Sequence, residues 1–172
     1  MKIKRPEQQE YDPYFKAYID LVDLGNFETM FADNTKRTID FFANIPPDKH
    51  NYKYGGDKWT IKEVLMHIID TERVFAYRAL VCIRGDYKTV FYSMDDKLYA
   101  SNVNVASRSM NSLINEFQVV RQNSGLLFQN ITEGQSKFLG KGVSSNFSAR
   151  ALAWIMMGHI LHHINVIQER YL

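Results

Sequence analysis

Trp59-Thr60-Ile61-Lys62-Glu63-Val64-Leu65-Met66-His67-Ile68-Ile69-Asp70-Thr71-Glu72-Arg73 is the stretch whose pattern decides the fold of this chain. Thr60 and Glu63 have the spacing of a capping box, in which hydroxyl and carboxylate each satisfy a backbone N–H that the first helical turn leaves free. Trp59 and Val64 occupy the positions of a hydrophobic staple, so the helix start is marked twice. Ile68, Phe75, Ala79 and Cys82 continue one apolar face until Gly85-Asp86 ends it. A helix with such a stripe must bury it against other elements, and His67 lies at the edge of the stripe beside Thr71 and Arg78.

Three more helices of the same kind follow from the flanking sequence. One is predicted from Asn26, its cap, to about Asn44. Phe27, Met30, Phe31, Asn34, Thr38, Phe41 and Phe42 recur at three and four, and Pro46-Pro47 stops the helix. Another spans about 108 to 130 with Ser107 as its cap and Met110, Leu113, Ile114, Phe117, Val120, Leu127 and Phe128 as its stripe. The last is capped by Ser148 and runs almost to the C-terminus, with Leu152, Met156, His159, His163 and Val166 along one seam. Residues 1 to 25, with Pro6, Pro13 and the aromatic run Tyr11, Tyr14, Phe15 and Tyr18, read as an arm with one short helix laid on the body. About twenty residues after Gly85 show no clear period beyond a short turn at Met94 to Tyr99, a connection long enough to cross the bundle. The segment holding Gly134, Gly140, Gly142, Ser144 and Ser145 reads as a polar link. No repeat and no second domain are evident, so residues 1–172 are expected to form a single domain.

Composition narrows the function classes. The 172 residues are 45% hydrophobic and 23% charged, which are ordinary globular values. A net charge of +2, with 21 basic residues scattered among 19 acidic ones, gives no footprint for nucleic acid or anionic lipid. Lys2, Lys4 and Arg5 form the only local excess and read as a solvated tail. No run approaches the ~20 apolar residues of a spanning helix. The single cysteine, Cys82, cannot close an internal disulfide, and the N-terminus lacks an apolar signal core, so a cytoplasmic location is expected. Cys82 falls on an apolar face, where an inert buried thiol is expected.

Two histidines stand in the last seam where bundle packing asks for Leu or Ile. His159 and His163 are one turn apart on one face and can converge on one ion, although a hydrogen-bonded core histidine is an equally good account of that spacing alone. His67 shifts the balance through its depth. It lies seven residues after Thr60, while His163 and His159 lie eight and twelve before Tyr171. At a rise of about 1.5 Å per residue, an antiparallel second and fourth helix bring all three within about one turn of each other. Three imidazoles without a fourth protein ligand suit an open, catalytic site better than a closed structural one. Such ligands fit zinc, nickel, copper or iron. Asp70 and Glu63, each about one turn from His67, are placed either to orient it or on a solvated helix face, the second being the commoner use. His162 is rotated by about 100° from His163 and is expected to face solvent or a partner subunit. His50 reads as a surface loop residue, and Arg78, three turns from His67, as half of a surface ion pair. No phosphate-cradling loop or serine nucleophile motif is present.

The run from Trp59 to Arg73, together with Ala151-Leu152-Ala153-Trp154 and Gly158-His159-Ile160-Leu161-His162-His163, resembles the DinB/YfiT-like family of metal-dependent proteins. The resemblance covers most of the chain and has no departure at the ligands. It implies an all-α four-helix bundle of up-down-down-up topology, often a homodimer, with His67, His159 and His163 as the metal ligands. It also implies a small-molecule substrate and activities that use low-molecular-weight thiols, of the bacillithiol, mycothiol or glutathione type. The expectation is therefore a zinc- or nickel-dependent thiol S-transferase. A metal-dependent hydrolase and a non-enzymatic metal-binding stress-response bundle are the alternatives.

Overall fold

The computed structural model describes residues 3–172, so Lys2 of the basic tail lies outside the described residues. Four long helices make the frame: α2 (Phe27–Ala43), α3 (Ile61–Ile83), α5 (Met110–Phe128) and α7 (Ala149–Arg170). Short helices α1 (Lys16–Ile19), α4 (Asp96–Asn102) and α6 (Glu133–Lys137) sit between them. The caps explain the starts. Asn26 Oδ1 accepts from the N–H groups of Glu28 and Thr29 at 3.0 and 3.2 Å. The capping box at α3 is closed in both directions, with Glu63 N donating to Thr60 Oγ1 at 3.1 Å and Thr60 N to Glu63 Oε2 at 2.6 Å. At its far end Gly85 takes φ 67°, which only glycine adopts at no cost, and Asp86 N returns to the Val81 carbonyl at 3.1 Å.

Side-chain contacts fix the helix directions. Cys82, near the end of α3, donates to the Phe147 carbonyl just before α7 at 3.3 Å. The Tyr171 hydroxyl, just after α7, donates to the Trp59 carbonyl ahead of α3 at 2.8 Å. Helices α3 and α7 are therefore antiparallel. Lys62 Nζ reaches the Ala106 and Arg108 carbonyls at the head of α5, each at 2.9 Å, and further along Arg73 meets Glu116 at 2.7 Å, so α3 and α5 run parallel. Phe31 of α2 stacks on Phe128 near the end of α5 while Thr35 meets Arg121, which makes that pair antiparallel. Helices α2 and α7 thus point one way and α3 and α5 the other, and the parallel step from α3 to α5 needs the long connection that carries α4.

Two departures from the sequence reading concern the connections. The chain is not purely α: β1 (Val90–Phe91), β2 (Leu139–Gly142) and β3 (Phe147–Ser148) form a small sheet. Strand β1 pairs parallel with β2 through Val90 and Lys141, and β2 pairs antiparallel with β3 through Gly140 and Phe147. Strands of two to four residues are too short to show alternation. The first glycine of β2 has its reason in the packing, since a Cβ on Gly140 would lie 2.6 Å from Cys82 Sγ and 2.7 Å from the Phe91 ring. The second departure is the cap of α5, which is Ser109 and not Ser107, its Oγ accepting from Ser112 N at 3.1 Å.

The core falls into two clusters along the bundle. One gathers Phe75, Phe128, Trp154 and Met157, and the other Leu65, Ile69, Phe117 and Ile164. His159 lies on α7 between them. Every residue from Ala149 to Ile160 is buried, so the first half of α7 is enclosed on all sides instead of presenting one seam. The N-terminal arm accounts for the extra side. A Cβ on Gly158 would stand 1.9 Å from the Tyr18 carbonyl oxygen, so α1 lies directly on the α7 backbone there.

Candidate metal centre

Helices α3 and α7 bring His67, His159 and His163 together, as their depths in the sequence imply. The Nε2 atoms of His67 and His163 each lie beside His159 Nε2, at 3.1 and 3.0 Å, and one ligand atom from each residue falls within 4.8 Å of the others. A neutral imidazole Nε2 offers one proton or one in-plane lone pair. His159 Nε2 can therefore satisfy one of its two neighbours and never both. Nitrogens about 2.0–2.1 Å from a tetrahedral zinc stand roughly 3.3 Å apart, so the two spacings to His159 are close to those between ligands of one ion. The donor set fits a divalent transition metal.

Burial keeps these rings in the ligand-competent form. It pushes His67 down to about 4, against a smaller upward pull from Asp96. His159 and His163 are held well below the ordinary imidazole value, first by burial and then by the neighbouring rings. Orientation comes from packing. The Trp59 ring lies 4.8 Å from that of His67, and Tyr18 meets His159 edge-on at 5.7 Å. His67 Nδ1 is buried without a hydrogen-bond partner. Neither acidic candidate reaches it: Glu63 belongs to the capping box, and Asp70 pairs with Arg73 at 3.4 Å.

The site opens into two pockets. The inner one, of about 500 Å³, runs along α3 from the triad past Thr71 and Phe75 to Arg78, and is closed on the other side by the arm and the β2–β3 turn. The outer one, of about 800 Å³, lies beyond Trp59 and is bordered by Lys53, Lys58 and Lys97. His162, His163, Trp59 and Asp96 belong to both walls.

Three sequence expectations are corrected here. His162 does not face away from the site. It is half-buried, stacks on Tyr18 at 5.1 Å and lines both pockets, because the arm covers the side of α7 that a bare bundle would leave to solvent. Arg78 is not a surface ion pair: it is 8% exposed, donates to the Tyr92 carbonyl at 2.6 Å and lines the inner pocket. His50 is half-buried and bonded to the Ile45 carbonyl at 3.0 Å. Cys82 conforms, fully buried with its thiol pushed up by burial to about 11.

Comparison with known proteins bears on the fold and the family. The structure is similar to YfiT from Bacillus subtilis, a probable metal-dependent hydrolase with an unusual four-helix bundle topology; the TM-score is 0.69 at 14% identity, over 95% of this chain and 89% of that one. It is also similar to a mycothiol-dependent maleylpyruvate isomerase, with a TM-score of 0.63 at 11% identity, over 81% of this chain. This chain spans 58% of the isomerase's length. At these identities the likeness is one of fold. No protein of curated function matches the sequence. The sequence does match the family profile of the DinB superfamily over residues 30–167, which include all three histidines and most of each of the four long helices, and the chain belongs to that superfamily.

Proposed function

We propose that this chain is a metal-dependent enzyme that acts on small molecules, with His67, His159 and His163 as the ligands of a zinc or nickel ion, and that it joins a low-molecular-weight thiol to an electrophile. The observation that carries the reading is that two separate pockets meet at one open triad. A transfer between two reactants needs a compartment for each. When bound, the ion supplies Lewis acidity at an open position and favours the thiolate form of a sulfur placed there.

The chain's own residues do the positioning. The three imidazoles stay neutral and present their lone pairs, and Trp59 and Tyr18 hold two of the rings by their faces and edges. Tyr18, Trp59 and the arm shield the triad from bulk water, which strengthens every electrostatic contact inside. Burial and its Tyr14 neighbour keep the Tyr18 hydroxyl protonated, so it can donate a hydrogen bond to a reactant. A second reading, metal-dependent hydrolysis, is favoured by His162 and Asp96, which line the same walls and are groups able to take a proton from water.

Metal content of protein purified without an affinity tag, set beside the His67→Ala variant, tests the site. About one ion per chain in the parent and none in the variant is the expected result. Thiol consumption is then followed with a panel of small thiols and an α,β-unsaturated carbonyl. Metal-dependent acceleration supports the transferase. A loaded protein that leaves thiols untouched but cleaves activated esters points to the hydrolase.

A further inference from the structure

Three arginines are buried among the described residues, and two of them have buried acidic partners. Arg121 donates to both oxygens of Glu72, at 3.1 and 2.8 Å, and Arg150 grips Glu10. Arg78 is buried too, at 8% exposure, yet no carboxylate among the described residues pairs with it. Its one hydrogen bond goes to the Tyr92 carbonyl. Its guanidinium carbon lies over the Phe75 and Phe91 rings, 5.3 and 5.9 Å from their centroids. Taking a cation out of water without a counter-ion costs several kcal/mol, and this one lines the inner pocket.

A second observation lies on the same face. His67, Thr71, Phe75 and Arg78 follow at steps of four, four and three along α3, and all border the inner pocket. Threonines inside helices ordinarily return their hydroxyl to the carbonyl one turn back. Thr35 and Thr38 of α2 do so, to Phe31 and Asn34, at 2.7 and 2.6 Å. Thr71 Oγ1 is buried and has no partner. A free hydroxyl and a free cation thus stand in line behind the triad.

We propose that the inner pocket binds an elongated ligand with a terminal carboxylate, which pairs with Arg78 while Thr71 bonds a polar group midway and the reacting end lies at the triad. This rests on the reading of the triad as a metal site. The guanidinium over Phe75 points back toward His67, so the anchor lies about eight residues of helix rise, roughly 12 Å, from the triad. Charge favours a monoanion over a phosphate dianion. Asp12 and Asp96 border the same pocket, the first held ionised by Ser145 and the Tyr14 N–H.

Titration calorimetry on the zinc-loaded protein tests this with N-(mercaptoacetyl)-4-aminobutyrate and its terminal carboxamide, a pair that differs only in the anionic group. The carboxylate should bind about ten- to a hundredfold more tightly. Arg78→Met should erase the difference, Arg78→Lys should keep part of it, and Thr71→Val should weaken both probes alike. Equal binding of the pair to the parent, or a preference that survives in Arg78→Met, overturns the proposal. Suberic monohydroxamate and its terminal amide repeat the comparison without a thiol. If neither thiol binds but the hydroxamates show the Arg78-dependent preference, the thiol reading fails and the carboxylate anchor stands. If no pair shows a preference, the anchor is wrong whatever becomes of the thiol.

Discussion

At the scale of single residues, the chain pairs most of its buried charge and gathers its buried imidazoles in a cluster. Arg121 is 1% exposed, with Glu72 on one side, Asn34 Oδ1 at 2.8 Å and Thr35 Oγ1 at 3.2 Å on the other, and the Phe31 ring 3.6 Å below. Its donors are nearly all used, so the damage comes from removing one partner. Glu72→Ala should cost about 3–5 kcal/mol in urea denaturation, and Glu72→Met with Arg121→Met should recover most of that; a single variant within 1 kcal/mol of the parent would show that water reaches the pair. The triad makes a different demand. Its folded-state pKa values lie below those of an unfolded histidine, so the unfolded chain binds more protons as the pH falls. Stability of the chelated protein should be full above pH 6.5 and decline toward about pH 4, the His67 value. The slope should be about 1.4 kcal/mol per pH unit for each histidine that stays neutral. Denaturation midpoints stepped through that window check it, and His159→Leu should flatten the decline.

At the scale of elements, the arm is the part whose role in the site is least visible along the chain. Helix α1 has four residues and no cap worth the name, yet it lies on the α7 backbone at Gly158 and sets Tyr18 against His159 and His162. Gly158→Ala should push it off, at about 1–3 kcal/mol for an overpacked contact. Limited proteolysis within the first 25 residues should accelerate while the helical signal of the bundle is kept. Unchanged cleavage would mean that the arm has room to shift. The four long helices were legible because each carries its own cap and stripe, and the triad because helix rise converts sequence offsets into depth. The missed features depend on what covers what. His162 reads as turned away from the triad face and Arg78, at the edge of its stripe, as half of a surface ion pair; the arm and β1 are what cover them. The run from Ala151 to Gly158, apolar all round the helix, is the signal in the sequence of full enclosure. Thr132 and Gln135 likewise mark the capping box of α6, with Gln135 N on Thr132 Oγ1 at 3.2 Å, inside a segment read as a polar link.

At the scale of the whole molecule, the parallel pairing of α3 with α5 and the antiparallel pairing of α3 with α7 decide what the metal site can be. The ligands come from two helices already locked together by the Cys82–Phe147 and Tyr171–Trp59 bonds at their ends and by apolar clusters above and below the triad. A chain of this length buries roughly 70% of its unfolded surface without assistance. The site is therefore preformed, and an ion adds to stability by mass action instead of creating the fold. At a free concentration a hundred times its dissociation constant, zinc should stabilise by about 2.7 kcal/mol. For a domain of this size that is a rise in Tm of about 5–11 °C. Removing metal with a chelator should lower Tm by that amount and leave the far-ultraviolet circular dichroism spectrum unchanged; adding zinc back should restore it, and His159→Ala should show no shift in either direction. Loss of helical signal on chelation would make the metal structural and its coordination closed. A Tm indifferent to zinc would leave the three imidazoles as a buried cluster with no ion, and the transferase and hydrolase readings would both fall with it.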